Sequence, residues 1–184
     1  MQFETTPIDG VQVVRLDRRA DERGFFARVF CENEFSAAKL PIRIAQINNS
    51  LSARAGTLRG LHYQLPPSAE TKVIRCLRGA IFDVALDIRP DSPSFGEWFG
   101  VRLDEENRAM LTVPRGCAHA ILTLEPNTEI LYLVDNFYDP KAERGIRWND
   151  PTFGIQWPIE PVEISEKDST WPDFDPKWHQ AGML

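Results

Sequence analysis

The 184-residue chain carries 21 Lys and Arg against 27 Asp and Glu, a formal net charge of -6. At roughly 100–200 residues per domain it is expected to form one domain over residues 1–184, with a core that needs no staples. With 42% hydrophobic and 26% charged residues, wholesale disorder is excluded. The acidic balance argues against a nucleic-acid or anionic-membrane partner, no apolar stretch approaches membrane-span length, and the opening MQFETTPIDG lacks the regions of a signal peptide. A cytoplasmic location is therefore expected.

In chain order, VQVVRL from Val11 reads as a first strand, and ENEFSAAKL from Glu32 is the best helix candidate, with apolar residues at helical spacing and no internal Gly or Pro. Strand-like runs follow: RIAQINNSLS, TLRGLHYQ, KVIRCLRG, IFDVALDIR, GEWFGVRL, RAMLTVP, HAILTLE and TEILYLVDNFY. In IFDVALDIR, Ile81, Asp83, Ala85 and Asp87 share one face and Phe82, Val84, Leu86 and Ile88 the other, which predicts a half-buried strand. Turn signals stand at Gly79, from Pro90 to Gly96, from Asp104 to Arg108, and from Glu125 to Thr128. From Asp139 onward Pro, Trp and Asp dominate, which predicts strand fragments and loops packed on the rest through Trp148, Trp157 and Trp171. The fold class expected is all-β: a cupin-like jelly-roll barrel with short helices and a loop-rich C-terminal tail.

Cys31, Cys76 and Cys117 form no CxxC pair and are expected to be buried free thiols. Of three histidines, His179 is expected to be solvated near the C-terminus, whereas His62 and His119 lie in strands. Arg59, His62, Lys72 and Tyr132 would, if turned inward, give the barrel a wet basic pocket suited to a small anion. The plainer alternative is that Arg59 and Lys72 only pair surface carboxylates.

The segment GLHYQ lacks the HxH pair of metal-binding barrels of this type, so a strong divalent-metal site is not expected. GxGxxG, GxxxxGK[ST] and GxSxG are absent, which removes the usual nucleotide-loop and hydrolase signals.

Several blocks in fixed order carry a resemblance. RGFF (Arg23 to Phe26), QINNS (Gln46 to Ser50), RGLHYQ (Arg59 to Gln64), KVIRCLRG (Lys72 to Gly79), DVALDIRPDSPSFGEW (Asp83 to Trp98), PRGCAHA (Pro114 to Ala120), Tyr132 with Tyr138, ERGIRWNDP (Glu143 to Pro151) and SEKD (Ser165 to Asp168) together resemble the dTDP-4-dehydrorhamnose 3,5-epimerases. The resemblance implies a cupin-type jelly roll, a homodimer, no metal or organic cofactor, and a nucleoside-diphosphate 4-keto-6-deoxyhexose as substrate.

In such a sugar C3 and C5 both flank the C4 carbonyl, so one ketone acidifies both C–H bonds. A base takes a proton from one face, charge develops on the C4 oxygen, and an acid returns a proton from the other. By the family pattern His62 is the base, oriented by Asp168. Lys72 stabilises the enolate oxygen, and Tyr132 is the opposite-face acid. Arg23, Phe26, Arg28, Gln46, Asn48, Arg59, His119, Tyr138, Glu143 and Lys167 match substrate-contacting positions, with Arg59 the best candidate for the diphosphate.

The chain departs from the pattern at four places. Arg28 stands where the family usually carries Glu, and Cys117 and Ala120 replace Phe and Gly. Leu133 follows Tyr132 where many members have Lys. A cation at position 28, if it met the base, would suit cytosine N3, an acceptor, better than the donating thymine N3–H; directed to solvent, it would leave the base preference unchanged. The rival readings are a mono-epimerase, an epimerase of a CDP-linked sugar, a 3,4-ketoisomerase, and a cupin that only binds a nucleotide-sugar.

Overall fold

The computed structural model describes residues 1–183. The N-terminal part contains β1 (Gln2–Thr5), β2 (Gln12–Arg15), the hairpin β3 (Arg19–Asp21) and β4 (Gly24–Phe26), and helix α1 (Glu32–Ala37). Eight further strands follow: β5 (Gln46–Ser52), β6 (Thr57–Gln64), β7 (Lys72–Arg78), β8 (Ala80–Asp87), β9 (Trp98–Asp104), β10 (Met110–Val113), β11 (Cys117–Thr123) and β12 (Thr128–Val134). The tail adds β13 (Glu143–Gly145), β14 (Glu163–Ile164), and the single-turn helices α2 (Glu166–Ser169) and α3 (Pro176–His179).

The strands form two main sheets. One runs β1-β2-β10-β7-β12-β5; the other runs β13-β6-β11-β8-β9, with β14 joining β6. Side chains of both sheets meet in one apolar interior: Val13, Ile74, Cys76, Leu111 and Ile130 from the first, Ile81, Ala85, Leu103, Cys117 and Ile121 from the second. This is the expected jelly-roll barrel.

The outer faces are covered differently. α1 inserts Phe35, fully buried, among Val14, Val73, Met110 and Leu133 on the first sheet, a contribution of about 2 kcal/mol for a side chain of that size. The tail lies over the second sheet, where Leu61, Val84, Leu86 and Ile88 meet Ile146, Phe153, Trp157 and Phe174. Trp157 donates its indole N–H to the Trp148 carbonyl at 3.1 Å.

That cover corrects the half-buried reading of β8. Apart from the partly covered Phe82, both of its faces are buried, one in the barrel and one under the tail. Alternation of Asp with apolar residues here marks interior polar positions rather than a solvent face. Asp83 meets His119, and Asp87 accepts from Arg89, Ser92 and Ser94.

His179 is also corrected: it is fully buried rather than solvated. Its Nδ1 accepts the Asp175 N–H at 3.0 Å, and its Nε2 donates to the Gly145 carbonyl at 3.1 Å. All three cysteines are free, but Cys31 is only partly buried. Burial pushes the Cys76 and Cys117 thiols up to about 12, which leaves them inert packing groups at neutral pH.

Candidate active site

Strand alternation decides which polar groups enter the barrel. On β7 the face that carries Ile74 and Cys76 inward also carries Lys72; on β12 the face of Ile130 carries Tyr132; on β11 the face of Ile121 carries His119. Asn48 pairs with Tyr132 across β5 and β12, and His62 pairs with His119 across β6 and β11.

These residues line one cleft in two lobes. A lobe of about 320 Å³ is bounded by Arg59, His62, His119, Tyr132, Lys167 and Asp168. The other, about 380 Å³, is bounded by Gln46, Asn48, Glu70, Lys72, Tyr138 and Glu143. His62, Lys72 and Tyr132 border both lobes. His62 projects from the second sheet, whereas Lys72 and Tyr132 project from the first, so a planar ligand in the cleft is met from two sides. A cavity of about 610 Å³, lined by Arg89, Pro90, Arg115 and Met183 among others, includes none of these three groups.

His62 donates from Nε2 to Asp168 Oδ1 at 2.6 Å. With that proton committed to a carboxylate, the Nδ1 lone pair is the free basic site of the ring. Asp168 sits on α2, whose Ser165 N-cap accepts the Asp168 N–H at 3.1 Å. Its other oxygen accepts the Gly60 N–H at 3.3 Å. Gly60 has φ +135°, and a Cβ there would overlap Ala120, so only glycine lets β6 bring its N–H to the carboxylate. Burial alone would push Asp168 up; the hydrogen bonds from His62, Gly60 and Trp171 outweigh it and hold the group below the usual carboxylate range.

Lys72 Nζ lies 3.4 Å from Glu70 Oε1 and 3.4 Å from the His62 carbonyl oxygen. Glu70 also accepts from Gln64 Nε2 at 3.1 Å. Burial, then the Glu70 charge, raises the Tyr132 phenol above its ordinary value of 10.0, with Arg59 opposing. Tyr132 therefore keeps its proton throughout the neutral range. At the cleft's edge Glu143 accepts from Tyr138 at 2.9 Å and from Lys167 at 2.6 Å, while Tyr138 N–H donates to Gln46 at 3.1 Å. His119 Nε2 lies 2.6 Å from Asp83 Oδ1, giving a second imidazole–carboxylate pair.

Eleven of the fourteen residues picked from sequence thus gather in the cleft: His62, Tyr132, Lys72, Asp168, Gln46, Asn48, Arg59, His119, Tyr138, Glu143 and Lys167. Arg23, Phe26 and Arg28 do not. Arg23 is 84% exposed at its side chain and pairs with Asp21, and Phe26 is 66% exposed. Phe26 and Arg28 border a separate small cavity with Met1, Asp17, Arg19 and Glu34. There the Arg28 guanidinium is 3.8 Å from Glu34, which also holds the N-terminal ammonium at 2.7 Å.

Glu70, Gln64 and Ser165 belong to the site but were not singled out from sequence. Ser165 alone had a readable signal, as an N-cap residue opening SEKD. Among the described residues no group of three His, Cys, Asp or Glu side chains is placed to hold a metal ion.

The chain matches the family model described as dTDP-4-dehydrorhamnose 3,5-epimerase over residues 5–176. The epimerase of that name from Shigella flexneri is 46% identical over 175 residues, covering 95% of this chain and 96% of that protein. The crystal structure of the Bacillus anthracis enzyme with TDP and PPi bound superposes with a TM-score of 0.91 at 37% identity, covering 94% of this chain and 99% of that one. A Legionella pneumophila enzyme in complex with dTDP-4-keto-L-rhamnose gives 0.89 at 36% identity, covering 100% and 96%. The match runs through both sheets and the tail that carries Asp168, and on it the chain belongs to the dTDP-4-dehydrorhamnose 3,5-epimerase family.

Proposed function

We propose that this chain, acting as a single domain, converts dTDP-4-dehydro-6-deoxy-D-glucose to dTDP-4-dehydro-L-rhamnose by inverting C3 and C5. The observation that carries the reading is the division of labour between the sheets: a carboxylate-backed imidazole on one and a protonated phenol with an ammonium on the other, around the same cleft.

With the 4-ketohexose ring between the sheets, His62 Nδ1 removes the proton α to the ketone. Asp168 stabilises the imidazolium that results and fixes the ring's orientation. The electron pair of the broken C–H bond moves toward the C4 oxygen, where Lys72 Nζ meets the developing charge. Tyr132 then donates its proton to the same carbon from the opposite side, and the configuration inverts. The two α-carbons share one carbonyl, so the same groups serve both once His62 has released the proton it took to solvent, Tyr132 has regained one from solvent, and the sugar presents its second α-carbon to His62. Arg59, His119 and Lys167 supply the cationic wall for the diphosphate, with the planar guanidinium of Arg59 matched to its oxygens.

A homodimer completes this reading. The β3–β4 hairpin carries Arg23 and the exposed Phe25 and Phe26, and the edge strand β5 exposes Ile47 and Leu51. A partner strand against β5 would cover those apolar side chains. A partner's hairpin reaching the cleft would give Arg23, Phe26 and Arg28 a place at the nucleoside. No helix of the described residues is long and apolar enough to cross a membrane.

The direct test is His62→Ala. The variant is expected to bind dTDP as well as the parent by calorimetry but to lose at least ~10²-fold in epimerisation rate. A variant that retains the parent rate contradicts the assignment of His62 as base.

A further inference from the structure

We propose that Trp171 is a positioning residue for the His62–Asp168 pair: its indole N–H, held over Gly145 by the C-terminal segment, fixes the Asp168 carboxylate that orients the base. The inference rests on the epimerase reading, in which His62 is the base.

Asp168 Oδ1 has two donors, His62 Nε2 at 2.6 Å and Trp171 Nε1 at 3.3 Å. The Trp171 ring also stands edge-on to the His62 imidazole, 6.4 Å between centroids at 70°. The carboxylate is therefore gripped from three directions, with Gly60 N–H on Oδ2. An oxygen shared between two N–H groups cannot swing toward one without weakening the other, so the imidazole plane is defined by both.

The indole's own place is built in. Gly145 lies directly opposite His62 in the β13–β6 register, and a Cβ at Gly145 would run into the Trp171 indole. Behind Trp171, Trp178 packs at 6.2 Å, with Arg144 over its ring at 4.8 Å and His179 against it at 4.5 Å. His179 in turn bonds the Gly145 carbonyl, which closes the loop from the tail to the strand beside the base. Neither lobe of the cleft is lined by Trp171, so the indole acts on the reaction through the side chains it touches, Asp168 by its hydrogen bond and His62 and Lys167 by ring contacts, and not by meeting the substrate.

The test compares Trp171→Phe, which keeps a ring over Gly145 and removes only the N–H, with Trp171→Ala, which removes both. Trp171→Phe is expected to lower kcat about tenfold at unchanged KM, as a misoriented base does, with dTDP affinity and Tm near the parent. In proton NMR of the free protein, the His62 Nε2–H resonance, assigned by its loss in His62→Ala, is expected to move downfield as Oδ1 serves one donor instead of two. An unchanged resonance in Trp171→Phe overturns the proposal whatever the activity. So does an unchanged kcat in a parent enzyme that epimerises, or a loss of kcat accompanied by an equal loss of dTDP binding. A parent that exchanges no sugar proton refutes the epimerase reading instead, and the resonance shift then still decides whether Trp171 positions the pair.

Discussion

At the scale of the residue, the proposed chemistry depends on two groups kept in opposite protonation states. Asp168 is held ionised behind His62, and Tyr132 is held protonated by burial and the neighbouring Glu70 charge. Tyr132→Phe deletes the donor while keeping the ring against the barrel core. It is expected to bind dTDP normally and to fail at one or both inversions, read from the configuration of the product; full turnover at both carbons would remove the acid role. His62, Lys72 and Asp168 were legible as candidates because each sits in a distinctive short block, and Tyr132 through its spacing to Tyr138 in the family pattern. Glu70 was not, since a single carboxylate ahead of a strand has no local signature. It lies two residues before Lys72 and six after Gln64, and the pairing of β7 with β12 sets its charge near Tyr132. Arg28 was legible as a departure, but its ion pairing with Glu34 depends on where α1 lies.

At the scale of the element, the tail decides what a strand pattern means. The segments of β2 and β5 to β12 were readable as strands because they are β-branched and aromatic runs cut at intervals by Gly, Pro, Asn and Asp. The tail has no period, so its cover over the Val84 and Leu86 face of β8 was not readable, and the alternation in IFDVALDIR suggested solvent on the Asp83 and Asp87 face, which instead turns into the barrel. The same cover buries His179. Burial holds its imidazole below the ordinary value of 6.5, outweighing the bonds to Asp175 and Gly145. The folded state therefore prefers neutral His179, while the unfolded chain takes up the proton first. Stability from this group is full above about pH 6.5 and is lost as pH falls through that value toward the folded one. Tm is expected to drop between about pH 7.5 and about pH 5.5, and to drop less in His179→Gln. Equal slopes for parent and variant would show that His179 does not carry this pH dependence.

At the scale of the whole molecule, a barrel with covered outer faces places its polar cleft between two sheets, and one chain supplies the groups proposed as base, acid and cationic wall. Three residues of the family pattern lie elsewhere, on or just after an exposed hairpin. This is why light scattering is expected to report twice the chain mass, and a monomer would leave Arg23, Phe26 and Arg28 without a route to the nucleoside. The fold class was legible from strand spacing, whereas the dimer is an expectation that comes from the resemblance, because an interface leaves no periodic mark. The most direct test of the central claim is proton NMR in D2O with dTDP-4-keto-6-deoxyglucose, following the hydrogens at C3 and C5 as the enzyme works. Deuterium is expected to enter both positions, with the L-lyxo product trapped by a reductase. Exchange at one carbon alone, or at neither, would contradict an enzyme that inverts both.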